Sequence, residues 1–250
     1  MSKRVRVLML KEWREALKSS KTIWIGTVAL PALFLGFSVY LMLTLGDLND
    51  ADIENVRHLV GALFNLPLLY FMMFPMVIPI SVAVSAIIGE KEQKSLEPLL
   101  ATPLTTYELF LGKALASIVP AVGVTWMAFG LFGLFMKLLL PPQVVTLALG
   151  EFGTAWLLTI FLFTPLTSLL MAAASMMIAT RVSDVRAAYQ LSSFVMLPIL
   201  LPAIFFATQQ ALTNVSFIVV LSGAILLFDL VLLSFAVKLF RREEILTRWR

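Results

Sequence analysis

The chain has 250 residues, 60% hydrophobic and 14% charged, with a mean hydropathy of +0.95 and a formal net charge of +4. Soluble domains carry roughly 45–50% apolar and about 25% charged residues, so this composition excludes a soluble globular domain and defines an integral membrane protein. The absence of cysteine excludes disulfides and thiolate metal sites, and the one histidine, His58, cannot build a metal cluster by itself.

The first twenty residues are basic but also carry Glu12 and Glu15, and the apolar run that follows is long and lacks an A-x-A site. A cleavable signal has a shorter apolar core, so this run reads as a retained anchor. Val5, Met9, Trp13 and Leu17 recur every four residues, with Lys3, Arg4, Lys11, Arg14, Glu15 and Lys18 largely on other faces. That pattern predicts an interfacial amphipathic helix over 3–20, imperfect because Val7 and Leu10 fall off the stripe. A solvated basic lead-in is the alternative.

A spanning helix needs about 20 apolar residues. Six segments meet or approach that length, at about 22–45, 59–88, 109–136, 152–179, 191–207 and 215–239. Pro67, Pro75 and Pro79 predict kinks in the second. The fifth is short and carries Pro198 and Pro202, so a continuous span and a broken helix both stay open. If the N-terminus is cytoplasmic, seventeen of the nineteen Lys and Arg fall on the cytoplasmic side, and only Arg57 and Lys137 lie outside. So lopsided a split fits the positive-inside rule and accounts for the basic pI without nucleic acid as a partner. The expected fold is all-α: a single membrane domain over 1–250, six spans, both termini cytoplasmic, in the cell's inner (cytoplasmic) membrane.

Between the second and third spans lies "GEKEQKSLEPLLATPLTTYELFLGK", Gly89 to Lys113, which is oversized for a connector. Glu90 to Lys94 alternate in charge and cannot sit in lipid, so the second helix must leave the membrane there. Ser95 is a good N-cap, Glu97 suits the positive end of a helix dipole and Pro98 is tolerated in a first turn. Leu96, Leu99 and Leu100 give such a short helix an apolar face. Thr102 precedes Pro103 and is pushed out of helical conformation, which ends it. Thr105-Thr106-Tyr107-Glu108 is then a Thr-x-x-Glu capping box that starts the next helix. A phosphate-binding loop is excluded, because Gln93 stands where a glycine must precede Lys94-Ser95 and a membrane helix, not a strand, comes before. Spacing alone leaves two readings of the leucines: they meet a partner, or they rest on the bilayer.

This stretch resembles the signature region of the type-2 family of ATP-binding-cassette permeases, in the sodium- and drug-exporter-like branch. The resemblance lies in Glu90-Lys91-Glu92, in Ser95 through Pro103, and in Glu108-Leu109 with Leu111-Gly112-Lys113. The N-terminal "LKEWREALKSSKT" is also similar to the family's connecting helix. The resemblance implies that loop 89–108 holds a cytoplasmic coupling helix docking on a separate ATPase subunit, with Ser95, Leu96, Glu97, Leu99 and Leu100 in contact and Glu90, Lys91 and Glu92 flanking. It further implies a second permease chain, homo- or heterodimeric, and ATP hydrolysis on the partner rather than on this chain. One departure stands out: larger relatives carry an outer domain after the first span or re-entrant helices between the last two, whereas here those two outer connections are only 46–57 and 208–214.

Asp229 lies well inside the sixth span, and an intramembrane carboxylate is by default a functional-site hypothesis. It is a candidate translocation-pathway residue, or a group satisfied at a helix interface. Small residues at Ser81, Ser85 and Gly89, and at Ser168, Ala172, Ser175 and Ala179, favour close helix approach. Nothing resembles a catalytic set, and no cofactor is implied. Two functions follow: an ABC exporter permease, or a stand-alone secondary transporter or channel using Asp229 as a proton or ion site. Apolar spans with one acid suit an apolar cargo better than a strongly charged one.

Overall fold

Backbone amides in hydrocarbon have no water to bond, so a chain this apolar closes its hydrogen bonds within helices. A computed structural model describes residues 9–11, 57–92, 106–139, 142–208 and 214–239, with Gly36, Tyr40 and Leu43 besides. Among the described residues every regular element is helical. They are α1 (Arg57–Glu92), α2 (Thr106–Leu139), α3 (Pro142–Leu158), a π-helical turn (Thr159–Phe163), α4 (Thr164–Arg181), α5 (Val185–Phe194), α6 (Leu197–Thr208) and α7 (Val215–Leu239).

Four helical runs, Pro67–Glu92, Glu108–Leu138, Gly153–Arg181 and Val215–Ser234, are long and apolar enough to cross a membrane. The pair Val185–Phe194 and Leu197–Ala207, bent by 47°, makes a fifth if counted as one span. The span expected at 22–45 lies outside the described residues, apart from three isolated positions. So do the interfacial helix at 3–20, beyond one helical turn at Met9–Lys11, and loop residues 93–105. The helix expected at 215–239 has those limits, while those expected at 59–88, 109–136 and 152–179 run further at both ends. At 1.5 Å per residue the 36 residues of α1 extend about 54 Å, well beyond a hydrocarbon core about 30 Å thick.

α1 and α4 form the buried centre, and α2 and α7 flank them with most of their apolar side chains facing outward. Ser168, Ala172, Ser175 and Ala179 are all fully buried, so the small-residue stripe of α4 is spent on packing within the chain. Ring contacts tie α1 to α2 and α2 to α3: Phe71 lies edge-on to Phe129 at 5.6 Å and to Phe132 at 5.8 Å, and Phe132 lies tilted against Trp156 at 5.1 Å.

The prolines show how neighbours repair a helix in lipid. Pro79 has no N–H to give the carbonyl of Pro75, four residues back. Ser168 on α4 donates its hydroxyl to that oxygen at 3.1 Å, and α1 runs on as one helix. Pro165 follows the π turn, where each amide bonds five residues back, so Ile160 is the carbonyl it cannot serve. The indole of Trp126 on α2 donates to Ile160 at 3.0 Å.

At Pro198 no such repair is made. α5 stops at Phe194, the carbonyl that Pro198 leaves without a donor, and Val195 and Met196 turn the chain with tighter bonds to Ser192 and Ser193. The segment expected at 191–207 is therefore a broken helix. Asp184 caps the start of α5 by accepting from the amides of Arg186 and Ala187, and Asn214 accepts from the amide of Ser216 at the start of α7.

Candidate functional site

The acidic–basic run that ends α1 faces its own protein on two sides. Consecutive helical residues point about 100° apart, so Glu90 and Lys91 meet different neighbours. Glu90 is buried, and its Oε1 lies 2.9 Å from Nζ of Lys113, which is 1% exposed and stands on the second turn of α2. Lys113 also donates to the carbonyl of Ala86 at 3.0 Å. Lys11, from the N-terminal segment, approaches the same Glu90 oxygen at 3.8 Å and is 42% exposed. Taking two charges out of water is costly unless the geometry is close and further bonds complete it; here the contact is close, and the bond to Ala86 serves the lysine.

Lys91 turns toward α4. Its Nζ donates to the carbonyls of Ala179, Thr180 and Val182 at 2.7, 2.9 and 2.9 Å. The last carbonyls of a helix lack partners and gather partial negative charge, so an ammonium is well suited to them. Burial pulls against the charge, and the three short bonds offset that cost. The ends of α1 and α4 and the start of α2 thus meet at one end of the bundle. Of the three residues expected to flank an ATPase contact, Glu92 alone is exposed. Ser95, Leu96, Glu97, Leu99 and Leu100 lie outside the described residues.

Asp229 sits on the buried stripe Ile218, Ser222, Ile225 and Asp229 of α7, the face turned toward α4. It is 1% exposed, and among the described residues neither carboxyl oxygen has a hydrogen-bond partner. The hydroxyl of Ser222, two turns away on the same face, is likewise unsatisfied. Most other buried hydroxyls bond back to their own helix, as Thr125 does to Ala121 and Thr159 to Ala155. A partly open groove of about 320 Å³ runs between α1 and the bent pair, lined by Val77, Ile80, Ser81, Tyr189, Ser193 and Met196. Tyr189 donates across it to the carbonyl of Ser81 at 3.3 Å.

Sequence reasoning took Lys113 as the end of the signature stretch and did not pair it with Glu90. The signal was a basic residue eight positions into a helix that opens with a capping box, too deep to be a free surface charge. Ser168 and Trp126 carried no such signal, because their acceptors are carbonyls freed by prolines on other helices.

Apolar helices long enough to cross a membrane, packed round two proline-repaired centres and joined at one end by buried charges, define a multi-pass membrane protein. The chain belongs to a family: the model for the ABC-2 family of transporter proteins matches residues 6–239. It is a membrane permease subunit of an ABC transporter, and members of this family generally work with an ATPase subunit. None of the curated proteins matches the chain.

Proposed function

We propose that this permease is driven by a separate cytoplasmic ATPase that seats on loop 89–108, where Ser95, Leu96, Glu97, Leu99 and Leu100 make the contact. Glu90, Lys91 and Glu92 form its root. The chain crosses the cytoplasmic membrane six times with both termini inside, and pairs with a second permease chain to form the pathway. ATP-driven closure of the ATPase subunits pushes on the loops, and the permease halves alternate between inward-open and outward-open states to export a cargo with an apolar body.

The observation that carries this reading is the charge-joined root of the loop: Glu90 bonded to Lys113 and Lys91 bonded to the end of α4. A loop anchored in this way moves three helices when it moves. The test is affinity purification of the full-length chain from its own cells, with identification of the bound subunits. An ATPase is expected with the native chain and is lost with Leu99→Asp or Glu97→Lys. An ATPase that stays bound to both variants, or that never accompanies the native chain, overturns the reading.

A second reading is favoured by one observation, the unpartnered carboxyl of Asp229. It makes Asp229 a proton or ion site of a transporter that runs without nucleotide. Cargo movement by the purified chain alone, lost in Asp229→Asn, is its signature. In the first reading Asp229 belongs to the translocation pathway.

A further inference from the structure

Val182, Ser183 and Asp184 form a short elbow between α4 and α5. Two of the three carbonyls held by Lys91 belong to the last turn of α4, and the third, Val182, lies in the elbow itself. One ammonium with three protons meets three oxygens that straddle the end of a helix and the start of a bend. Beyond the elbow, α5 is capped by Asp184 and leads after ten residues into the 47° break before α6. Lys91 is also the last residue but one of α1, so it lies at the point where loop 93–105 leaves that helix.

We propose that Lys91 is a positioning residue that carries displacement of the end of α1 to the elbow between α4 and α5, and through it to the bent pair α5–α6. This deepens the ATPase-driven reading and rests on it. The Glu90–Lys113 pair ties the end of α1 to the start of α2, and Lys91 ties the end of α1 to α4. The end of α1, the elbow and α5 therefore move as one body. The break at Val195–Met196, where the helix ladder is already interrupted, takes up the change in angle. The groove between α1 and the bent pair, lined by Val77, Ile80, Ser81, Tyr189, Ser193 and Met196, changes width as the pair swings.

The natural absence of cysteine makes the test direct. Spin labels are placed at Glu92→Cys and Arg186→Cys, both exposed, and in a second sample at Arg186→Cys and Leu138→Cys, the latter exposed at the far end of α2. Distances are measured in the permease purified with its ATPase, without nucleotide and with ATP trapped by vanadate. With Lys91 present, the 92–186 distance stays fixed while the 186–138 distance shifts on trapping. In the Lys91→Met permease that purifies with its ATPase, the 92–186 distribution broadens and the 186–138 shift is lost. Lys91→Arg, which keeps a cationic donor for the carbonyls, restores both.

A 186–138 shift that survives in Lys91→Met overturns the proposal, and so does the absence of any shift in the native-lysine complex. If Lys91→Met unfolds, Lys91→Arg with a displaced 92–186 distance and an unchanged 186–138 shift overturns it equally. Failure of the underlying reading looks different, because then no ATPase accompanies the permease at all.

Discussion

Glu90 and Lys113 face each other at 2.9 Å, one near the end of α1 and the other near the start of α2, both withdrawn from solvent. Residues 93–105 separate the two helices in sequence, so the pair joins the helix ends that flank them. An apolar chain holds a charged pair at this depth only with the charges in close register, and that register brings the two helix ends together.

Removing one partner is expected to cost far more than removing both. Lys113→Met removes the closer of the two lysines described at Glu90, and the other, half-exposed at 3.8 Å, contributes little through solvent screening. Loss of about 3 kcal/mol is expected. The double variant Lys113→Met with Glu90→Gln recovers most of it. Thermal unfolding of the detergent-purified single and double variants reads both values, and equal losses in the two contradict the pairing.

The bond from Ser168 to the carbonyl of Pro75 predicts a rescue. Ser168→Ala leaves a buried carbonyl without a donor, and hydrogen bonds between membrane helices are worth about 1 kcal/mol. Pro79→Ala returns an amide to that carbonyl. In a double-mutant cycle, Ser168→Ala is therefore expected to cost about 1 kcal/mol with Pro79 and nearly nothing with Ala at 79. Equal costs in both backgrounds contradict the assignment.

The helices were legible from the sequence because a bilayer demands long apolar runs, and α7 shows this best, with the limits expected for it. Helix ends were less legible, since α1 and α2 continue as helix past the apolar run into residues that water can solvate. The break in the fifth segment was foreshadowed by Pro198, but proline alone does not decide. Pro79 and Pro165 sit in helices that run on, because a serine and a tryptophan from other helices serve the freed carbonyls. At Pro198 the chain turns instead. Those donors are tertiary, and no local pattern announces them. The roles of Glu90 and Lys91 were half legible: their charge marked the membrane exit, but only the packing of α2 and α4 shows where each side chain goes.

Asp229 predicts an opposition between stability and function. A buried polar group without a partner costs about 1–3 kcal/mol, so Asp229→Leu is expected to raise the unfolding temperature. If the carboxyl serves the pathway, the same variant and Asp229→Asn both lower ATP-dependent uptake of hydrophobic dyes into inside-out vesicles. Higher stability with unchanged uptake in both variants removes Asp229 from the pathway.

The central claim is that the 89–108 excursion lies on the cytoplasmic side and receives an ATPase there. Labelling of Ser95→Cys with a membrane-impermeant maleimide tests it most directly, since the chain offers no other thiol. Modification is expected in inside-out vesicles stripped of peripheral subunits, protection when the ATPase is bound, and none in right-side-out vesicles. Labelling from the outer face contradicts the account.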